Sequence, residues 1–339
     1  MSLTLHRLCL GTVQLGLPYG IANRTGQPSA AEAASILDHA VTSGLTLIDT
    51  AAAYGEAEER IGHFLQGRNC EEIRFISKLR PHQLASLAAA KREAKINEEL
   101  TGSLERLHLP QLYAYLLHTS DDFYLPGVTA GLQACRTAGL TQHIGVSIYE
   151  TQQALDAANA GIDFIQVPYN LFDTRLDQTE FFRLAAANGV TVHARSPFLQ
   201  GLLLLPAEEV PEHLQKAVPL LQNLDALLEK YDFSRKEAAF LFSYLHPGIE
   251  AVVFGTETVE QLKEDLTLAK RADEFAACRE ELAWNFSDVS RAIIIPSLWA
   301  IPSRGGVARS AGVGETSQHL SQEAEHTPSP KATPLSRGD

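Results

Sequence analysis

The chain has 339 residues, 45% of them hydrophobic and 20% charged, with a formal net charge of −13. This is globular composition, long enough for one large α/β domain or two smaller ones, and its acidic balance argues against a nucleic-acid-binding face, which needs clustered Lys and Arg. No run approaches the roughly 18 apolar residues of a membrane span, no secretory leader precedes Arg7, and the scattered Cys9, Cys70, Cys135 and Cys278 lack the spacing of a metal, redox or disulfide framework, so a cytoplasmic protein without metal, membrane or nucleic-acid partner is expected.

Short apolar runs alternate with helical stripes. Residues 8–11 read as a first strand. Ser29 and Glu32 form a capping box. Ala33, Ile36, Leu37, Ala40 and Val41 follow at helical spacing, and Gly44 suits the position just past a helix end. A strand at 45–48 precedes a helix near 56–65, which Gly67 stops. The third strand, 73–77, leads into a long helix between about 87 and 107. Strands at 112–117, 143–147, 164–167 and 190–194 follow, with helices near 128–138, 151–160 and 178–188. Helical stretches near 211–230 and 234–244 come before a last strand at 251–254 and a helix at 259–269. Beyond about residue 300 the chain is rich in Ser, Gly, Pro, Thr and Ala and almost free of large apolar residues. Such a segment buries too little surface to offset its ordering entropy.

Eight strand–helix alternations in about 260 residues predict an α/β fold of the (β/α)8 TIM-barrel type over residues 1–299, with outer helices, followed by a disordered tail over 300–339. The competing architecture is a doubly wound open sheet. That fold places a glycine-rich phosphate turn after its first strand, and Gly11-Thr12-Val13-Gln14-Leu15-Gly16 is not GxGxxG.

Three of the predicted strands run into polar residues able to do proton chemistry: Asp49, Lys78 and His118, with Tyr54 one short loop after Asp49. In a parallel barrel these residues meet at the C-terminal rim, where barrel enzymes place their chemistry. Singly, each has an ordinary explanation: a helix cap for Asp49, a solvated strand end for Lys78, a structural histidine for His118, a loop aromatic for Tyr54. Their joint occurrence at consecutive strand ends points to a site that moves protons.

The segments around them resemble the aldo-keto reductase family. Leu47-Ile48-Asp49-Thr50-Ala51-Ala52-Ala53-Tyr54-Gly55 is similar to its D-T-A-x-x-Y-G segment, Ile76-Ser77-Lys78 to its lysine strand, and Ser103-Leu104-Glu105-Arg106-Leu107 with Tyr115-Leu116-Leu117-His118 to its S-L-x-x-L and L-L-H segments. The resemblance spans residues 7–299. It implies an NAD(P)-dependent oxidoreductase that interconverts a carbonyl and an alcohol. Tyr54 then donates the proton, Lys78 lowers the phenol pKa as a nearby cation, Asp49 holds Lys78, and His118 orients the substrate oxygen.

The same resemblance implies a cofactor, NADP or NAD, held by Gly11 and Thr12, by Ser147 and Gln166 at the carboxamide, and by Ser196, Gly255, Thr256, Glu257, Gln261 and Asp265. Three departures stand out. Ile148 replaces the Asn that often follows Ser147. Arg195 stands where many members stack a tyrosine on the nicotinamide. After the last strand, Gly255 and Gln261 occupy positions where basic residues commonly meet a 2′-phosphate, while Glu257 and Asp265 are acidic. A carboxylate suits a ribose hydroxyl, although Glu257 also reads as a first-turn helix acid. Substrate contacts are expected from residues 14–23, 119–125, 198–211 and 284–299, with Gln14, Tyr19, Phe123 and Phe198 as candidates. A polar aldehyde or sugar-derived carbonyl is the expected class. Two other readings compete: a non-catalytic, NADP-binding regulatory barrel, and a lyase or aldolase with Lys78 as a Schiff-base lysine.

Overall fold

The computed structural model describes residues 5–69 and 71–299. The expected tail and Cys70 lie outside the described residues. Eight parallel strands close into a barrel in sequence order: β1 (Leu8–Gly11), β2 (Leu47–Asp49), β3 (Arg74–Leu79), β4 (Leu112–Leu117), β5 (Thr141–Ser147), β6 (Phe164–Pro168), β7 (Thr191–Arg195) and β8 (Ala251–Gly255), with β8 paired back to β1. The TIM-barrel expectation is met. All-parallel strands buried on both faces read as continuous apolar runs, which is why the alternation was legible.

Two layers of apolar packing hold the barrel. Inside, Cys9, Leu47, Ile76, Ala114, Leu116, Phe164, Ala251 and Val253 fill the lumen, as layers of inward side chains do in this architecture. Gly145 makes room for them, because a Cβ there would lie 2.2 Å from the Phe164 carbonyl and 2.4 Å from Leu116. Outside, the helices press apolar stripes onto the strands. Helix Ala30–Thr42 buries Ala33, Ile36, Leu37 and Ala40, and the Ser29–Glu32 capping box closes its first turn. Such a cap is worth about 1 kcal/mol.

Several boundaries differ from expectation. β2 begins at Leu47 and includes Asp49, and β3 runs on through Lys78 to Leu79. Both polar residues therefore sit within the ladder as inward-facing members, not beyond it. The stretch near 211–230 is a 3-10 turn, Glu212–Ala217, and a helix, Val218–Glu229. The last predicted helix stops at Asp265. A helix at Ala272–Asn285 was not anticipated. It buries only Phe275, Cys278 and Leu282, too sparse a stripe to stand out. Cys9, Cys135 and Cys278 are buried free thiols. Among the described residues no group of His, Cys, Asp and Glu has the makings of a metal site, and no helix is long and apolar enough to cross a membrane.

Candidate active site

Parallel register carries the inward-facing residues of successive strands to one rim. Gly11 lies opposite both Asp49 and Gly255, and Ser147 lies opposite Gln166. A cavity of about 360 Å³ opens there, within the usual size of small-molecule pockets.

At its base Lys78 Nζ donates to Asp49 Oδ1 at 2.5 Å, to the Thr50 carbonyl at 3.0 Å and to the Tyr54 hydroxyl at 3.4 Å. The Lys78 and Asp49 side chains are 1% and 3% exposed. A buried ion pair stays charged only when its remaining lone pairs and protons are satisfied. Gln166 supplies that partner, donating from Nε2 to Asp49 Oδ2 at 2.8 Å. Gln166, expected only at a cofactor amide, thus also braces the carboxylate from 117 residues away.

Tyr54 projects from a turn locked by two glycines. A Cβ on Gly16 would lie 1.8 Å from the Tyr54 carbonyl, and one on Gly55, whose φ is +55°, would lie 2.2 Å from the Gly16 carbonyl. Only bare backbone allows the turn after β1 and the Tyr54 turn to approach so closely. The Tyr54 ring meets His118 edge-on, with centroids 5.5 Å apart.

Burial pushes the Tyr54 phenol well above its ordinary pKa, and the Asp49 charge adds to this. The lowering expected from Lys78 does not appear: burial dominates, and the charge that pulls the phenol down is that of Arg195. Burial also drives His118 well below the ordinary imidazole value, helped by the charges of Lys78 and Arg195. The phenol is therefore protonated and the imidazole neutral. His118 Nδ1 is buried without a hydrogen-bond partner among the described residues.

Most of the other sequence candidates line the same cavity: Gly11, Thr12, Gln14, Tyr19, Ser147, Arg195, Ser196, Phe198, Gly255, Glu257, Gln261 and Asp265. Two do not. Phe123 packs edge-on against Tyr124 in the loop after β4, with centroids 5.4 Å apart, away from the cavity. Thr256 turns inward and bonds the Thr258 carbonyl and Gln261 Oε1, so it shapes the loop and does not line the cavity.

Arg195 is already engaged. Its Nε donates to Ser147 Oγ at 3.2 Å, its Nη2 to the Ile148 carbonyl at 2.9 Å, and its guanidinium lies 4.3 Å from the Tyr149 ring centroid. Sequence reasoning missed Tyr149, which no motif marks. It also missed Lys236, brought to the cavity by the helix Arg235–Tyr244, and the link between the loops after β1 and β7. There the Ile21 N–H donates to the Gln200 carbonyl at 2.9 Å, and a Cβ on Gly201 would lie 2.5 Å from that of Ala22. Gln200 itself has a positive φ of 53°.

Comparison with known proteins agrees with this architecture. The aldo/keto reductase family model matches residues 7–281. The chain is 24% identical over 297 residues to the NADH-specific methylglyoxal reductase of Escherichia coli, covering 78% of this chain and 90% of that protein. It is 26% identical over 264 residues to the uncharacterized oxidoreductase YqkF of Bacillus subtilis, covering 70% and 82%. A solved structure of a candidate aldo-keto reductase from Pseudomonas aeruginosa superposes with a TM-score of 0.59 at 24% identity, covering 78% and 90% of the two chains, and shows the shared fold. The chain belongs to the aldo/keto reductase family of oxidoreductases.

Proposed function

We propose that this enzyme interconverts a small polar aldehyde, sugar-derived aldehydes included, and its alcohol, with a nicotinamide dinucleotide as redox partner and Tyr54 as proton donor. The observation that carries the reading is the chain of contacts Gln166–Asp49–Lys78–Tyr54 beneath the cavity, with His118 beside the phenol. The E. coli relative is named for methylglyoxal, a small polar carbonyl of the same class.

The residues fit the dinucleotide. Gly11 and Gly255 give the β1–β8 edge a bare floor, and a Cβ on Gly255 would meet the Gln14 amide at 2.2 to 2.5 Å. Gln14 Oε1 is buried without a partner among the described residues, leaving an acceptor for a ligand N–H or O–H. Ser147, Gln166 and Arg195 would hold the nicotinamide end. Glu257, Gln261 and Asp265 would hold the adenosine end. When bound, the dinucleotide supplies or accepts the hydride.

The chain's own residues manage the proton. A carbonyl oxygen gains negative charge as its carbon accepts hydride, and Tyr54 passes its proton to that oxygen. A phenol held above its usual pKa is a poor acid toward water and keeps its proton until a stronger base develops beside it. The Lys78 ammonium, 3.4 Å from the hydroxyl, then faces the phenolate left behind. Neutral His118 hydrogen-bonds the substrate oxygen and fixes its approach. Tyr19 and Phe198 wall the substrate end.

The Schiff-base alternative loses support here. An imine-forming lysine must present a free amine to the carbonyl, and the Lys78 Nζ is engaged with Asp49 Oδ1 and the Thr50 carbonyl. The test is consumption of reduced dinucleotide by the purified chain with a panel of aldehydes. Aldehyde-dependent oxidation supports the proposal. Dinucleotide binding without turnover on any carbonyl points instead to a regulatory barrel.

A further inference from the structure

On the cavity wall that follows β8, Glu257, Gln261, Glu264, Asp265 and Lys236 gather around the loop and the helix Val259–Asp265. The formal charges there are three carboxylates and one ammonium. The single ammonium is not free. Lys236 Nζ lies 2.6 Å from Glu264 Oε2 and 2.7 Å from Asp265 Oδ1. Asp265 is almost fully buried, so removing its cation strands a carboxylate in low dielectric. Gln261 is equally committed. Its Oε1 accepts from the Glu257 N–H at 2.8 Å, and its Nε2 donates to Glu257 Oε2 at 3.0 Å. That arrangement fixes the Glu257 carboxylate at the cavity wall with lone pairs to spare.

We propose that this part of the site selects the dinucleotide with a free adenosine 2′-hydroxyl, NADH, against NADPH, with Glu257 as the group that admits the hydroxyl and the Lys236–Glu264–Asp265 cluster as a cation made unavailable to phosphate. A hydroxyl can donate to a carboxylate, whereas a 2′-phosphate carries about −1.5 to −2 charge and only accepts. It would meet an acidic surplus, and to gain Lys236 it would have to break two short ion pairs. Nor does this group of described residues offer the planar guanidinium that suits bidentate phosphate binding, since Gln261 is neutral and spent on the loop.

This inference rests on the dinucleotide reading above, and equilibrium titration separates the two. NADH and NADPH are titrated into the full chain without substrate, followed by nucleotide fluorescence. The expected result is an NADH Kd at least about tenfold below that for NADPH, narrowing as salt is raised. Gln261→Arg should tighten NADPH about tenfold by adding a guanidinium, and should weaken NADH because the two bonds that fix the Glu257 carboxylate are lost. Lys236→Met should not weaken NADPH, whereas a Lys236 that anchors phosphate would make it do so. Equal affinities or an NADPH advantage in the unaltered chain overturn the selection while leaving the dinucleotide reading intact. Binding of neither nucleotide overturns both. The unaltered chain decides the matter even if a variant fails to fold.

Discussion

Asp49 Oδ1 and Lys78 Nζ lie 2.5 Å apart at the bottom of the cavity, on adjacent strands, and both side chains are almost completely buried. Each charge depends on the other. Removing one partner of such a pair typically costs about 3–5 kcal/mol because the remaining charge is stranded.

Lys78→Met should therefore lower unfolding stability by roughly 3 kcal/mol in urea titration and abolish measurable turnover. Gln166→Ala leaves the ion pair and removes the 2.8 Å brace on Asp49 Oδ2 together with the proposed contact to the nicotinamide end. It should cost less stability, about 1–2 kcal/mol, and reduce kcat with the ion pair still formed. Equal effects of the two substitutions would mean that Gln166 and Lys78 form one inseparable unit.

The pH profile follows from the two shifted groups. Tyr54 is raised by burial and by Asp49, so its protonated form persists until the pH climbs past the usual phenol range near 10. His118 is lowered by burial, so it becomes charged only below its usual value near 6.5. The acid limb and the base limb both move outward. kcat/KM for carbonyl reduction should be flat between roughly pH 7 and pH 9. A histidine-like loss within that window would show that His118 titrates in the working enzyme.

Gly16→Ala tests the seat of Tyr54. Its new Cβ would sit 1.8 Å from the Tyr54 carbonyl, so backbone must move. We expect about 1–3 kcal/mol of destabilisation, with kcat reduced about tenfold or more as the phenol shifts from Lys78 and His118. Gly67→Ala is the control. Nothing lies within 4 Å of the Cβ it would add, although Gly67 has a φ of +73°. It should lose stability through backbone strain and keep its kcat.

The barrel was legible because short, mostly apolar runs recur between helical stripes, most plainly at β4 and β8. Polar residues placed the ends of β2 and β3 too early. Asp49 and Lys78 look like loop residues in the sequence, yet an inward position at the rim can be polar and still belong to the ladder. Local motifs located Tyr54 and His118. They did not reveal the brace from Gln166 to Asp49, nor Lys236 at the cavity wall, because both are meetings of distant segments that only closure of the barrel creates. Phe123 was misplaced for a related reason. An aromatic in a rim loop has the right address, but whether it faces the cavity or its neighbour depends on the path of the loop.

The most direct test of the account is the turnover of Tyr54→Phe, with dinucleotide affinity measured on the same preparation. Phenylalanine keeps the ring against His118 and removes only the hydroxyl that faces Lys78. The expected result is that kcat for aldehyde reduction falls by about 10²-fold or more with nucleotide Kd and folding unchanged. A kcat within about threefold of the unaltered enzyme would contradict it, and the proton would have to come from another group.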